Sequence, residues 1–144
     1  MRRLIATASI AALSLTAATA ATGATKARCA TGSVKGIAWV TGGPKGVGSL
    51  PGIYTSAADL FGYRWNCSGG AVSVRKPDTQ PEGFDVKFAG NPGRVAIANA
   101  AGGPAAASVS RNADGSFHVS IAGNTTGAGG FQVRSDTAFI VIVF

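Results

Sequence analysis

From Val34 onward the chain is a succession of short stretches in which apolar and polar residues alternate, broken by Gly, Pro, Asn and Asp. Alternation with a period of two over four to eight residues is the pattern of a half-buried strand. It predicts strands at 34–41, 63–67, 71–76, 84–88, 94–100, 107–111, 117–122, 131–135 and 138–144. Asp114-Gly115, set between Arg111 and Phe117, is a strong hairpin signal. Asn91-Pro92-Gly93 and the segment 124–130 are further breaks. The segment 41–52 holds five Gly and two Pro and reads as a long loop. Only 55–61, with Thr55 or Ser56 as N-cap, could start a helical turn.

The last segment, Ala138-Phe139-Ile140-Val141-Ile142-Val143-Phe144, is apolar at every position. Such a strand belongs in the middle of a sheet with both faces covered, because at an edge it would pair with other chains. A second feature is an internal repeat. Phe84-Asp85-Val86-Lys87-Phe88-Ala89-Gly90-Asn91 matches Phe117-His118-Val119-Ser120-Ile121-Ala122-Gly123-Asn124 at an offset of 33, both reading F-x-V-x-[FI]-A-G-N. Related strands precede each copy, Ser73-Val74-Arg75 and Ser108-Val109-Ser110-Arg111. The repeat predicts two similar hairpins of one sandwich, with Phe84 and Phe117 as equivalent core residues.

Composition narrows the class. Of 144 residues, 21 are Gly and 27 are Ala, so a third of the chain has little side chain to bury. Charged residues are 13%, about half the usual share, which excludes a coiled coil and a highly charged disordered tail. The length allows one domain. Arg2 and Arg3, an uncharged stretch over 4–15 and two small-x-small sites, Ala18-Thr19-Ala20 and Thr22-Gly23-Ala24, read as a signal peptide. Residues 1–24 are then the leader, cleaved between 20 and 24, and 25–144 the domain. An uncleaved interfacial anchor is the alternative reading. The chain after the leader carries 11 basic and 6 acidic residues, a net +5. They are scattered, with no run that would make a nucleic-acid arm or a polybasic membrane patch. Such a charge serves solubility, and could attract anionic cell-wall polymers without specificity. Cys29 and Cys67 are the only cysteines, and an even count in a small exported domain reads as one disulfide. Closing that loop contributes ~3–4 kcal/mol in the chain-entropy model.

Candidate chemistry is sparse. Glu82 and Asp85 are the closest pair of carboxylates and could serve a small secreted hydrolase. His118 is the single histidine, so any acid–base pair or triad must use it. Alternation with Phe117 and Val119 puts His118 on the opposite, solvated sheet face, where a surface role is the simpler reading. No metal site and no cofactor follow from two Cys and one His. Aromatic residues cluster instead: Trp39, Tyr54, Tyr63 and Trp65, with Phe61 close by. Flat rings with polar tips suit sugars and chain ends, which makes Trp39, Tyr54, Tyr63 and Trp65 the candidate binding residues. The competing reading packs Trp65 on the Cys67 bridge as core.

The Ala/Gly-rich leader, the single Cys pair, the A-G-N turns and the apolar terminal strand resemble small exported β-rich proteins of high-GC Gram-positive bacteria. The resemblance covers roughly 72–144 and implies an extracellular location and a β fold, with no catalytic residues. The expected fold is therefore all-β, a single-domain antiparallel β-sandwich of eight or nine short strands with one disulfide. The expected function is non-catalytic binding of an extracellular or cell-surface component such as a glycan or cell-wall polymer. The expected chain is a secreted monomer with no specific nucleic-acid partner and no transmembrane segment after the leader. The alternatives are a hydrolase using Glu82 and Asp85 or His118, and a structural or self-assembling surface protein.

Overall fold

The computed structural model describes residues 29–144 apart from 31, 81, 92, 103–104, 125–130 and 134–135. The expected leader lies outside the described residues. The fold is an antiparallel β-sandwich built from β1 (Gly36–Val40), β2 (Phe61–Asn66), β3 (Val72–Arg75), β4 (Gly83–Phe88), β5 (Ala96–Ala100), β6 (Ala105–Arg111), β7 (Phe117–Asn124), β8 (Phe131–Val133) and β9 (Phe139–Val143). Each predicted strand is present, with ends within two residues of those expected. The predicted helical turn is a single 3-10 turn, Ala58–Leu60.

The first sheet has the order β2-β1-β9-β5, and the second β3-β4-β7-β6, with β8 also paired to β7. Alternate residues of each strand face inward, as the pleat requires. Ala38 and Val40, Val72 and Val74, Phe84 and Val86, Phe117 and Val119, and Phe139 and Val141 form the core. Phe84 stacks on Phe139 across the two sheets, with ring centroids 5.2 Å apart. Val47 and Leu50 are buried as well. The Gly-rich segment, expected as a plain loop, forms two 3-10 turns, Gly43–Lys45 and Val47–Ser49, and supplies core residues from the start of the second turn and the residue after it. Along one side, β5 and β6 pack against each other through Ala96, Ala98 and Ala100 and through Ala105, Ala107 and Val109. Small side chains let the two sheets draw together there, which is one use of the high alanine content.

The two copies of the repeat lie in the same sheet and pair directly. Phe84 faces Val119, Asp85 faces His118 and Val86 faces Phe117. Residues 33 apart therefore exchange places about a local two-fold axis through the Asp85–His118 pair. The flanking strands follow, because Ser73-Val74-Arg75 and Ser108-Val109-Ser110 occupy matching registers outside β4 and β7.

β9 sits between β1 and β5, an interior position as expected. Only one of its faces is covered, however. Phe139, Val141 and Val143 are fully buried, whereas Ile140 and Ile142 are half-buried on the outer face. The Cys29–Cys67 disulfide, with a Cα–Cα distance of 5.1 Å, ties the segment before β1 to the residue after β2. Asn66 and Asn91 lock the same end. Asn66 Nδ2 donates to the carbonyls of Gly70 (3.1 Å) and Ala89 (2.9 Å), and Asn91 Nδ2 donates to Lys35 O (2.7 Å) and Asn66 Oδ1 (3.0 Å). The Asn of the first A-G-N is a clamp between three segments rather than a turn former alone.

Candidate functional site

The outer face of the first sheet is assembled row by row from its register. One row crosses the sheet as Trp65, Ile37, Ile142 and Ile97, and the next as Tyr63, Trp39, Ile140 and Asn99. Neither row contains a charged residue. Trp39 is 41% exposed, Tyr63 53% and Ile97 54%. The ladder continues past the strand ends, with Phe144 N donating to Val95 O at 2.9 Å, and both side chains are exposed. Trp39 owes its position to Gly62. The register slips between Trp39 and Val40, so Gly62 has no partner of its own and Phe61 turns inward to the core. A Cβ on Gly62 would stand 2.5 Å from the Trp39 ring, so only glycine lets the indole lie across the strand. Single exposed apolar side chains are ordinary, but a contiguous apolar sheet face marks an interaction surface.

The second sheet carries a polar row on its outer face: Arg75, Asp85, His118 and Ser110, one from each of β3, β4, β7 and β6. Asp85 is 1% exposed and accepts from three side chains. Arg75 Nε and Nη2 reach Oδ2 at 2.9 and 2.7 Å, while His118 Nδ1 and Asn112 Nδ2 reach Oδ1 at 2.9 and 3.1 Å. A carboxylate held by a guanidinium is an acceptor only, so His118 Nδ1 is the donor in this contact. His118 is buried, and its solvated position expected from alternation is corrected here. Alternation assigns the face correctly but not the cover. Gly83, beside it on β4, leaves a gap that the ring fills, since a Cβ there would lie 2.3 Å from Nε2.

Tyr54 lies over this row. Its ring covers the Arg75 guanidinium at 4.5 Å and the Lys87 ammonium at 5.4 Å, and its hydroxyl donates to Asp114 Oδ2 at 3.3 Å. Burial pushes the Tyr54 phenol above its usual range. Asp114 accepts from the Ser116 hydroxyl (2.6 Å) and backbone N–H (3.0 Å) and from Lys87 (3.3 Å). The Ser116 hydroxyl, followed by its backbone N–H, holds the Asp114 carboxyl down to about 2.

The structure thus divides the candidate residues. Trp39, Tyr63 and Trp65 share one face, whereas Tyr54 belongs to the polar network of the other sheet. Trp65 is half-buried on the outer face rather than packed in the core. Glu82 is exposed in the turn leading into β4, and Asp85 is buried under its partners, so the two do not present a carboxylate pair to solvent. The isoleucines that complete the aromatic face carry no local signal for it. Their shared face follows from strand order, which no local pattern reveals.

Among the described residues no group of three His, Cys, Asp or Glu could hold a metal ion, and no helix is long and apolar enough to cross a membrane. Comparison with known proteins finds no matching family model, no matching curated protein and no matching solved structure.

Proposed function

We propose that this chain is an exported, non-catalytic binding protein that engages an extracellular or cell-surface component through the outer face of its first sheet. The observation that carries the reading is the uncharged double row around Trp39, Tyr63 and Trp65. Paired Trp and Tyr rings offer flat apolar area with polar tips, the surface that stacks on sugar rings of a glycan or cell-wall polymer. The export half rests on the leader pattern and on the resemblance to exported β-rich proteins of high-GC Gram-positive bacteria. The engaged state of Asp85 supports the non-catalytic half, because both its oxygens already serve protein donors.

Retention of the 25–144 protein on purified cell walls and on a glycan array tests the proposal. Trp39→Ala and Tyr63→Ala are expected to weaken retention by roughly tenfold each, as buried aromatic anchors do, with melting temperatures close to that of the parent. Absence of retention, or retention indifferent to both substitutions, overturns it.

A further inference from the structure

A pocket of about 200 Å³ lies where the start of β5 meets the end of β6. Its walls are Val95, Ala96, Val109 and Phe117, with Ser110 beside them and Arg94 and Arg111 completing the lining. No carboxylate lines it. The other two described arginines are engaged with the protein, Arg64 with Ser56 O and the Phe61 ring and Arg75 with Asp85. By contrast, among the described residues the Arg94 and Arg111 guanidiniums have neither an ion pair nor a hydrogen bond, and both are on exposed residues. Asp114, the carboxylate of the neighbouring β6–β7 turn, is committed to Ser116, Lys87 and Tyr54. Nothing in the turn therefore neutralises Arg111.

We infer that this pocket binds an oxyanion, a carboxylate or phosphate, carried on a small apolar body. Two guanidinium forks match the planar or tetrahedral oxygens of such a group, and each can hold it by paired N–H donors. The apolar walls take what the anion is attached to. At this volume the pocket accommodates one end group of a larger ligand rather than a whole cofactor-sized molecule, since ligand sites of that kind begin near ~300 Å³. The pocket touches the far edge of the first sheet's outer face through Val95, but its two arginines lie outside the rows of Trp39, Tyr63 and Trp65, so it does not depend on what those rows bind.

Titration of the 25–144 protein with phenyl phosphate and with benzoate, followed by amide NMR shifts and calorimetry, tests the inference. The expected result is saturable binding with shifts centred on Arg94, Ala96, Ser110 and Arg111. Arg94→Gln and Arg111→Gln are each expected to weaken it about tenfold, the fold-change that loss of one charge-assisted pair implies. Lys45→Gln, which removes the same charge from an exposed position in a different loop, is expected to leave binding within twofold. Failure of both aryl anions to bind overturns the inference. So does equal binding of phenol or of inorganic phosphate, persistence of binding in both Arg variants, or an equal loss in Lys45→Gln. Thermal unfolding of each variant confirms that a lost signal comes from the pocket and not from the fold.

Discussion

Asp85 and His118 show how a residue's role depends on its neighbours across the sheet. Removing the imidazole leaves Asp85 with Arg75 and Asn112, so the carboxylate is only partly orphaned. His118→Ala is expected to cost about 1–2 kcal/mol in denaturant unfolding. Lys87→Ala breaks the exposed pair with Asp114 and the exposed contact with the Tyr54 ring, and is expected within ~0.5 kcal/mol of the parent. Phe84→Ala, at a fully buried position, is expected to cost ~3–5 kcal/mol. Equal effects of His118→Ala and Lys87→Ala would refute the buried row. Asp114 adds a pH dependence. Its folded pKa, about 2, lies below the ordinary carboxylate value of ~3.9, so its stabilisation is present in full above that value and is lost as pH falls towards 2. Asp114→Asn is therefore expected to flatten part of the fall in melting temperature between about pH 4 and pH 2, and an unchanged slope would remove Asp114 from the acid response.

At the scale of elements, the informative unit is the pair of repeated hairpins. Each copy of F-x-V-x-[FI]-A-G-N was legible as a strand with an apolar inner face, and Phe84 and Phe117 are both core residues. The sequence could not show that the copies pair with each other, because strand order depends on contacts between segments far apart in the chain. That pairing is what sets Asp85 opposite His118. β9 behaves in the same way. Its apolar run implied an interior place, and it has one between β1 and β5. Deleting 140–144 removes ladder partners from both neighbours and is expected to abolish cooperative unfolding by near-UV circular dichroism. A truncated chain that kept a cooperative transition would mean that β1 and β5 hold without it. The open outer face of β9, with Ile140 and Ile142 half-exposed beside Trp39 and Ile97, was not expected from the sequence.

For the whole molecule, two sheets with unlike outer faces close over one core: the first is apolar and uncharged across its central rows, the second polar and cross-linked around Asp85. The sequence by itself determined the strands, the turns, the inward faces and the Cys29–Cys67 bridge, because alternation, turn chemistry and cysteine count act locally or leave one choice. Tertiary structure decided the rest. Strand order gathered Trp39, Tyr63 and Trp65 with isoleucines from β1, β9 and β5, and sent Tyr54 to the opposite sheet. It brought Arg94, from the segment before β5, and Arg111, from the end of β6, to a common pocket. It also buried His118, since period-two alternation states which side of a strand a residue takes, while what packs on that side, Gly83 and Asp85 of β4, is set by strand pairing.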